Sequence, residues 1–328
     1  MASLAASASG QAARTGLGAP VFTLILAVIA VGLFGIGKAI GNSYAFFMGY
    51  VVLQYIVLGT AWNILGGYTG YVNFGVTAFF AIGAYSTVVW HKLVPAMPLP
   101  VMILIGGAMA GLVGLGTGYL TLRLRGVFFS IATLALAVVV QTLITNWDFV
   151  GGARGAYVLR PRTTSLLGLP YIEYLFILML VMCVIVLVVA RQIERSALGY
   201  GFAAIRDDEA AAEAAGVPTL KLKLIATTLS GGFMGMAGAP LPYYVSYLDP
   251  ASGFSLNYAV NAIAMPLIGG MSSWVGPVIG AVLVGGLQEW IRVTISSALN
   301  VLVAGVLMVG FVILAPQGIV GLFQRKKK

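Results

Sequence analysis

The sequence predicts an all-α, polytopic membrane protein of about ten transmembrane helices, and three observations predict it. Of its 328 residues, 60% are hydrophobic and only 8% are Asp, Glu, Lys or Arg, with a mean hydropathy of +1.01. Water-soluble domains carry roughly a quarter charged residues. Apolar runs long enough to cross a hydrocarbon core, about 20 helical residues, recur along almost the whole chain. Its basic residues flank those runs or gather at the end, in Arg325-Lys326-Lys327-Lys328. The net charge of +9 therefore reads as membrane topology rather than nucleic-acid recognition.

In chain order, residues 1–19 form an Ala-, Ser- and Gly-rich cytoplasmic tail with one cation, Arg14. Scant charge and no convincing cleavage site argue for an uncleaved first helix. Spans follow at 20–38, 44–65, 72–90, 99–122, 126–147, 171–190, 220–248, 256–268, 276–294 and 298–320. They make a single permease domain, 20–323, with a cytoplasmic loop at 191–223 and a basic tail at 324–328. The eighth run is short and broken by Pro266, Gly269, Gly270 and Pro277, so it fits either a full crossing or a re-entrant half-helix.

Charge decides between them. With ten crossings and both termini in the cytoplasm, that side holds Arg14, Arg123, Arg125, Arg191, Arg195, Arg206, Lys221, Lys223 and the four terminal cations, 12 of 18. Without a crossing at 256–268, either the terminal cluster or the 191–223 loop would face outward, against the positive-inside bias. The expectation is ten spans, N-in and C-in. The small-xxx-small pairs Gly107/Gly111, Gly114/Gly118, Gly231/Gly235 and Gly276/Gly280 predict close helix packing, since lipid supplies no hydrophobic drive between helices.

Chemistry inside the chain is sparse. None of the nine acidic residues sits mid-span, where proton-coupled carriers keep a carboxylate, and Glu289 is placed to pair with Arg292 three residues on. No phosphate-binding G-x-x-x-x-G-K-[ST] loop occurs. Cys183 and His91 are the only residues of their kinds, which excludes an internal disulfide and a His/Cys metal site. No catalytic residues are expected, and an energy source for uphill transport must be another polypeptide.

The feature that suggests such a partner is the run from Arg206 through Asp207, Asp208, Glu209 and Glu213 to Gly216. It reads as one short amphiphilic helix: acids in the first turn favour its dipole, alanines favour helix, Gly216 suits a left-handed close, and Pro218 stops continuation. Its readings are a docking element or an ordinary solvated connection.

At this loop, Glu194-Arg195-Ser196, Gly199-Tyr200 and Ala204 to Val217 resemble the cytoplasmic loop of LivM-type permeases of branched-chain amino acid ABC importers. Asn63 to Gly70 with Gly83-Ala84-Tyr85, Thr133 to Ala137 with Asn146-Trp147-Asp148, and Trp274-Val275-Gly276-Pro277 with Ala315-Pro316-Gln317-Gly318 extend the resemblance over about residues 60 to 323. It implies a type II-like permease fold in the bacterial inner membrane, working by alternating access. The partners it implies are a second, LivH-like permease, two cytoplasmic ATPases that bind ATP and Mg, and an extracytoplasmic solute-binding protein. Arg206, Asp207, Asp208, Glu209, Glu213 and Gly216 would then form the coupling helix. Val138 stands where amino acid importers of the family often carry glutamate, so the solute ranges over branched-chain amino acids, amides and carboxylates. Asn63, Tyr68, Asn73 and Gln141 are the pathway candidates, on the expectation of unwound backbone near them; polar glue between helices is their other reading. A stand-alone facilitator or ion-coupled carrier is the alternative function.

Overall fold

The computed structural model describes residues 18–121, 124, 126–159, 168–294, 302, 305, 306, 309, 310 and 318–325. It is all-α apart from one two-stranded clasp. The long helices are α1 (Ala19–Ile40), α2 (Ser43–Leu65), α3 (Val76–Leu93), α4 (Leu99–Thr121), α5 (Val127–Thr145) and α6 (Tyr171–Arg195). The loop carries α7 (Ala197–Asp207) and α8 (Glu209–Ala214), and α9 (Thr219–Gly238) and α10 (Leu241–Val245) follow. After them come α11 (Pro250–Gly253), α12 (Leu256–Gly269), α13 (Val275–Gly280), a π-helical stretch Ala281–Gly285, α14 (Gly286–Thr294) and α15 (Gly318–Arg325). Among the described residues, six helical segments are long and apolar enough to cross a membrane: α1, α2, α4, α5, α6 and the Thr219–Val245 segment.

Most expected spans fall on helices, with three corrections. The third begins at Val76 rather than 72, because Asn73 Oδ1 accepts from the Gly75 amide and so holds the residues before Val76 in a non-helical turn. The seventh breaks near Ala239 and Pro240 into α9 and α10; proline removes a backbone donor and crowds the preceding turn. The ninth is three pieces joined through the π-helical stretch. The expected tenth span, 298–320, lies mostly outside the described residues, and the tail at 1–17 and the last three lysines lie wholly outside them.

Two glycine-rich surfaces set the packing. A Cβ on Gly83 of α3 would lie 1.8 Å from the Gly235 carbonyl of α9, and one on Gly238 would lie 1.9 Å from that of Phe80. On the other flank of α9, a Cβ on Gly235 would stand 2.3 Å from the Ala110 Cβ of α4. Backbones therefore touch where side chains would otherwise intervene. The same device joins α12 to α13: a Cβ on Gly276 would sit 1.8 Å from the Gly270 carbonyl, and one on Gly280 would sit 1.9 Å from that of Met265.

Helix ends gather at two poles. At one, Lys38 pairs with Glu173 at 2.7 Å, Lys92 donates to the Phe149 carbonyl, and His91 Nδ1 shares a 2.8 Å hydrogen bond with the Tyr243 hydroxyl. There β1 (Ala156–Tyr157) and β2 (Tyr247–Leu248) pair antiparallel, Ala156 opposite Leu248. Gly155, at φ +76, is forced to be glycine, since a Cβ would approach the Leu248 carbonyl at 2.6 Å. At the other pole the Arg191 guanidinium lies 3.8 Å over the Phe22 ring, and the Glu194 carboxylate accepts from the Trp274 amide at 3.1 Å. α12 starts beside Phe254, which stacks on Tyr85 near the first pole, and ends at Gly270, against Gly318 near the second. The short eighth helix thus carries the chain from one pole toward the other.

Candidate functional site

Between α2 and α3 the chain is not helical from Gly66 to Gly75, yet much of this connection is buried. Its backbone is satisfied locally: the Gly67 and Tyr68 amides both donate to the Asn63 carbonyl at 3.0 and 2.9 Å, and Thr69 Oγ1 donates to Leu65 O at 2.6 Å. Trp62 Nε1 donates to Asn73 O at 2.8 Å, while Asn73 Oδ1 accepts from the Gly75 amide at 2.7 Å and so closes the start of α3. The segment leans on α5, where Ser130 Oγ donates to Val72 O at 2.8 Å and the Phe74 amide donates to Thr133 Oγ1 at 3.1 Å. Non-helical backbone within a membrane bundle is tolerated only where protein or a water-lined cavity encloses it.

Three of the four pathway candidates meet here. Asn63, Tyr68 and Asn73 are 0%, 6% and 1% exposed. Asn73 Nδ2 and Thr60 Oγ1, one turn earlier, are buried without a protein hydrogen-bond partner, and the equally buried Tyr68 hydroxyl and Asn63 side-chain amide have no side-chain partner beyond each other. Such groups are expensive to leave unmade, so the cluster suits water or a polar solute. Gln141 does not join it: it is half-buried on α5, eight residues beyond Thr133 and hence about 12 Å farther along the helix. It therefore lies away from the connection between Gly66 and Gly75, about one turn before α5 ends at Thr145.

The cytoplasmic-loop candidates also differ in detail from the expected single helix. Arg206 and Asp207 end α7, and Asp208 is the cap between the two helices, its Oδ1 accepting from the Ala211 amide at 3.0 Å. Asp208 breaks the helix because its extended backbone, φ −160 and ψ 108, frees its side chain to cap. Gly216, at φ +85, takes the left-handed close. Arg206, Asp207, Asp208 and Glu213 are exposed, whereas Glu209 is turned inward.

Glu209 joins the two regions. Its carboxylate pairs with Lys223 Nζ at 2.7 Å, the two side chains being 14% and 4% exposed, and accepts a short hydrogen bond from the Tyr71 hydroxyl. Lys223 Nζ also donates to the Tyr71 hydroxyl at 3.1 Å and lies 4.7 Å from the centre of its ring. Tyr71 belongs to the non-helical connection, Glu209 to α8 and Lys223 to α9. A Cβ on Gly70 would sit 3.1 Å from Arg206 Cγ, so the connection and the helix pair are in direct contact. Between them opens a cleft of about 530 Å³ lined by Thr69, Tyr71, Val72, Ser130, Arg206 and Glu209, among others. Sequence reasoning used Lys223 for topology alone and missed Tyr71; a lysine beginning an apolar span, with an acid fourteen residues before it, was the available signal.

The arrangement is a multi-pass membrane bundle with a buried, broken helix connection tied by a polar joint to a surface helix pair. Its residues 44–312 match the family model described as branched-chain amino acid transport system / permease component, and the chain belongs to that family. Two relatives are high-affinity branched-chain amino acid transport system permease proteins LivM, from Escherichia coli (strain K12) and Salmonella typhimurium (strain LT2). Each is 28% identical over 82% of this chain and 68% of its own length. A third, the autoinducer 2 import system permease protein LsrC of Enterobacter sp. (strain 638), is 27% identical over 78% of this chain and 73% of its own. No solved structure matches.

Proposed function

We propose that this chain is the membrane-spanning subunit of an ATP-driven importer in the bacterial inner membrane. It translocates a small polar solute by alternating access, and a branched-chain amino acid or a related amide or carboxylate suits its LivM relatives best. Because a further relative is named for autoinducer 2 import, kinship alone leaves the solute open. The observation that carries the proposal is the joint at Tyr71, Glu209 and Lys223. It links an exposed helix pair, where a motor subunit can bind, to the broken backbone beside Asn63, Tyr68 and Asn73. In this reading two cytoplasmic ATPases hold ATP and Mg, a second, LivH-like permease completes the pathway, and a solute-binding protein delivers from outside. The reading keeps ten crossings with both termini inside, and under the positive-inside bias it assigns the pole that gathers Arg191, Arg206 and Lys223 to the cytoplasm.

The test has two arms. Purification from native membranes is expected to bring down two ATPases and a second permease; a chain that alone moves solute into liposomes at full rate without ATP overturns the proposal. Charge reversal on the exposed face, Asp207→Lys with Asp208→Lys, is expected to separate ATP hydrolysis from uptake while the protein still inserts. Unchanged uptake per ATP in that variant removes the helix pair from the coupling route.

A further inference from the structure

The seam between α1 and α6 faces away from the bundle. Only 6% of the apolar window of α1 is buried within the protein, so the chain itself leaves the flank of this seam uncovered. Two recesses lie along it, end to end and chemically opposite. The first, about 410 Å³, is walled by Ala27, Ala30 and Phe34 of α1 and by Leu180, Val181 and Val184 of α6, among other apolar residues. The second, about 190 Å³, lies toward the cytoplasmic pole and is lined by Ala19, Phe22, Val188, Arg191, Gln192 and Arg195.

The spacing fits one amphiphile. On α6 the apolar recess runs from Ile177 to Ile185 and the basic one from Val188 to Arg195. At 1.5 Å per residue, Ile177 to Arg195 covers about 27 Å, and the apolar part plus the step to Arg191 covers about 21 Å. One leaflet of hydrocarbon is about 15 Å thick, the length of α6 from Val181 to Arg191 at about 1.5 Å per residue, so an acyl chain laid along the nearer part of the first recess ends with its headgroup at the arginines. Arginines at helix ends ordinarily reach out to the interface. Arg191 instead is only 6% exposed and lies 3.8 Å over the Phe22 ring, which is itself packed edge-on against Trp274 at 4.9 Å. Its charge is thus held at the wall of a recess. Arg195, one turn on, is exposed; Glu194 between them accepts from the Trp274 amide and lies close enough to both arginines to offset part of their charge, leaving the recess net basic.

We infer that this seam is a binding site for an anionic phospholipid of the cytoplasmic leaflet, its acyl chain along Ala27, Ala30 and Val184 and its phosphate at Arg191 and Arg195. The assignment to that leaflet rests on the proposed orientation; the anionic chemistry does not. Basic pockets between membrane helices select such headgroups, whereas the rest of the exposed flank of α1 is apolar and takes any acyl chain.

The experiment is native mass spectrometry of the assembled transporter, supplied with phosphatidylglycerol or phosphatidylethanolamine of the same acyl composition. Each cation near a headgroup contributes about a five-fold preference, offset in part by Glu194, so the wild type is expected to favour phosphatidylglycerol by several-fold. Arg195→Gln should remove most of that preference, and Arg195→Glu should abolish it. Ala30→Trp, which fills the apolar recess without touching a charge, should lower retention of both lipids. Equal retention of the two lipids by the wild type overturns the inference, as does an undiminished preference in Arg195→Glu. Displacement of the lipid by excess inorganic phosphate alone would reduce the site to an anion site. A cysteine at Ala30 that forms a disulfide with the second permease puts protein in the groove and also overturns it. Uptake is not the readout, so failure here leaves the transport proposal standing.

Discussion

Replacing Glu209 with Gln should undock the surface helix pair from the bundle. Lys223 is 3% exposed overall, and its side chain would lose the carboxylate now 2.7 Å away. Breaking a buried pair from one side costs about 3–5 kcal/mol. Because the Glu209 side chain retains some solvent contact and the Tyr71 hydroxyl still faces the ammonium at 3.1 Å, the lower figure applies, about 3 kcal/mol. At 1.36 kcal/mol per decade, local opening of α8 should become roughly a hundred-fold more frequent. Hydrogen exchange of the Ala211 and Ala212 amides in the assembled transporter measures that opening, and uptake per ATP in proteoliposomes measures its consequence. Removing both charges and the hydroxyl they share, as Glu209→Leu with Lys223→Met and Tyr71→Phe, replaces the polar joint by apolar packing, which is often neutral. The triple variant should therefore recover most of the protection and, with it, the coupling. The reasoning fails if Glu209→Gln leaves both exchange and uptake per ATP unchanged, or if coupling is lost while exchange stays slow.

Other outcomes follow from individual contacts. Asp208→Ala removes the cap on the Ala211 amide and should cost about 1 kcal/mol, read as a several-fold faster exchange confined to α8. Gly83→Ala forces a methyl against the Gly235 carbonyl and should sharply reduce monodisperse protein on size exclusion, overpacking costing about 1–3 kcal/mol or more. Gly35→Ala, where nothing lies within 4 Å, is expected to behave as wild type. Asn63→Ala removes a buried side-chain amide that has no side-chain partner beyond the Tyr68 hydroxyl; thermal unfolding in detergent should be unchanged or slightly later, while solute uptake falls. Gln141→Ala should alter neither as much.

Several elements were legible because one physical rule governs them. Hydropathy marks α1, α2, α4, α5 and α6 within a few residues, since membrane length dictates span length. Glycine spacing marked Gly107, Gly231, Gly235 and Gly276 as contact points, which they are. Gly216 and the Glu289–Arg292 pair, 3.0 Å apart, follow from local rules alone. What escaped depends on distant residues. The division of the loop at Asp208 is a competition between helix propensity and capping, too even to read from composition. The grouping of Asn63 with Asn73 needs the fold of the connection, and the exclusion of Gln141 needs its register on α5. Tyr71 carried no mark, because its importance lies in partners 138 and 152 residues away.

The glycine contacts among α3, α4 and α9 also bear on how the protein moves. Where one backbone is seated in a notch of another, sliding by even part of a turn drives a side chain into a carbonyl, so the three helices have no low-cost path past each other. They are a gearwheel rather than a set of pistons and must turn as a single body. Motion between that body and α2 is then concentrated in the ten residues from Gly66 to Gly75, which have no helix of their own to break and which hold four glycines, Gly66, Gly67, Gly70 and Gly75. A pivot at this place would open and close the space beside Asn63 with every displacement of the helix pair.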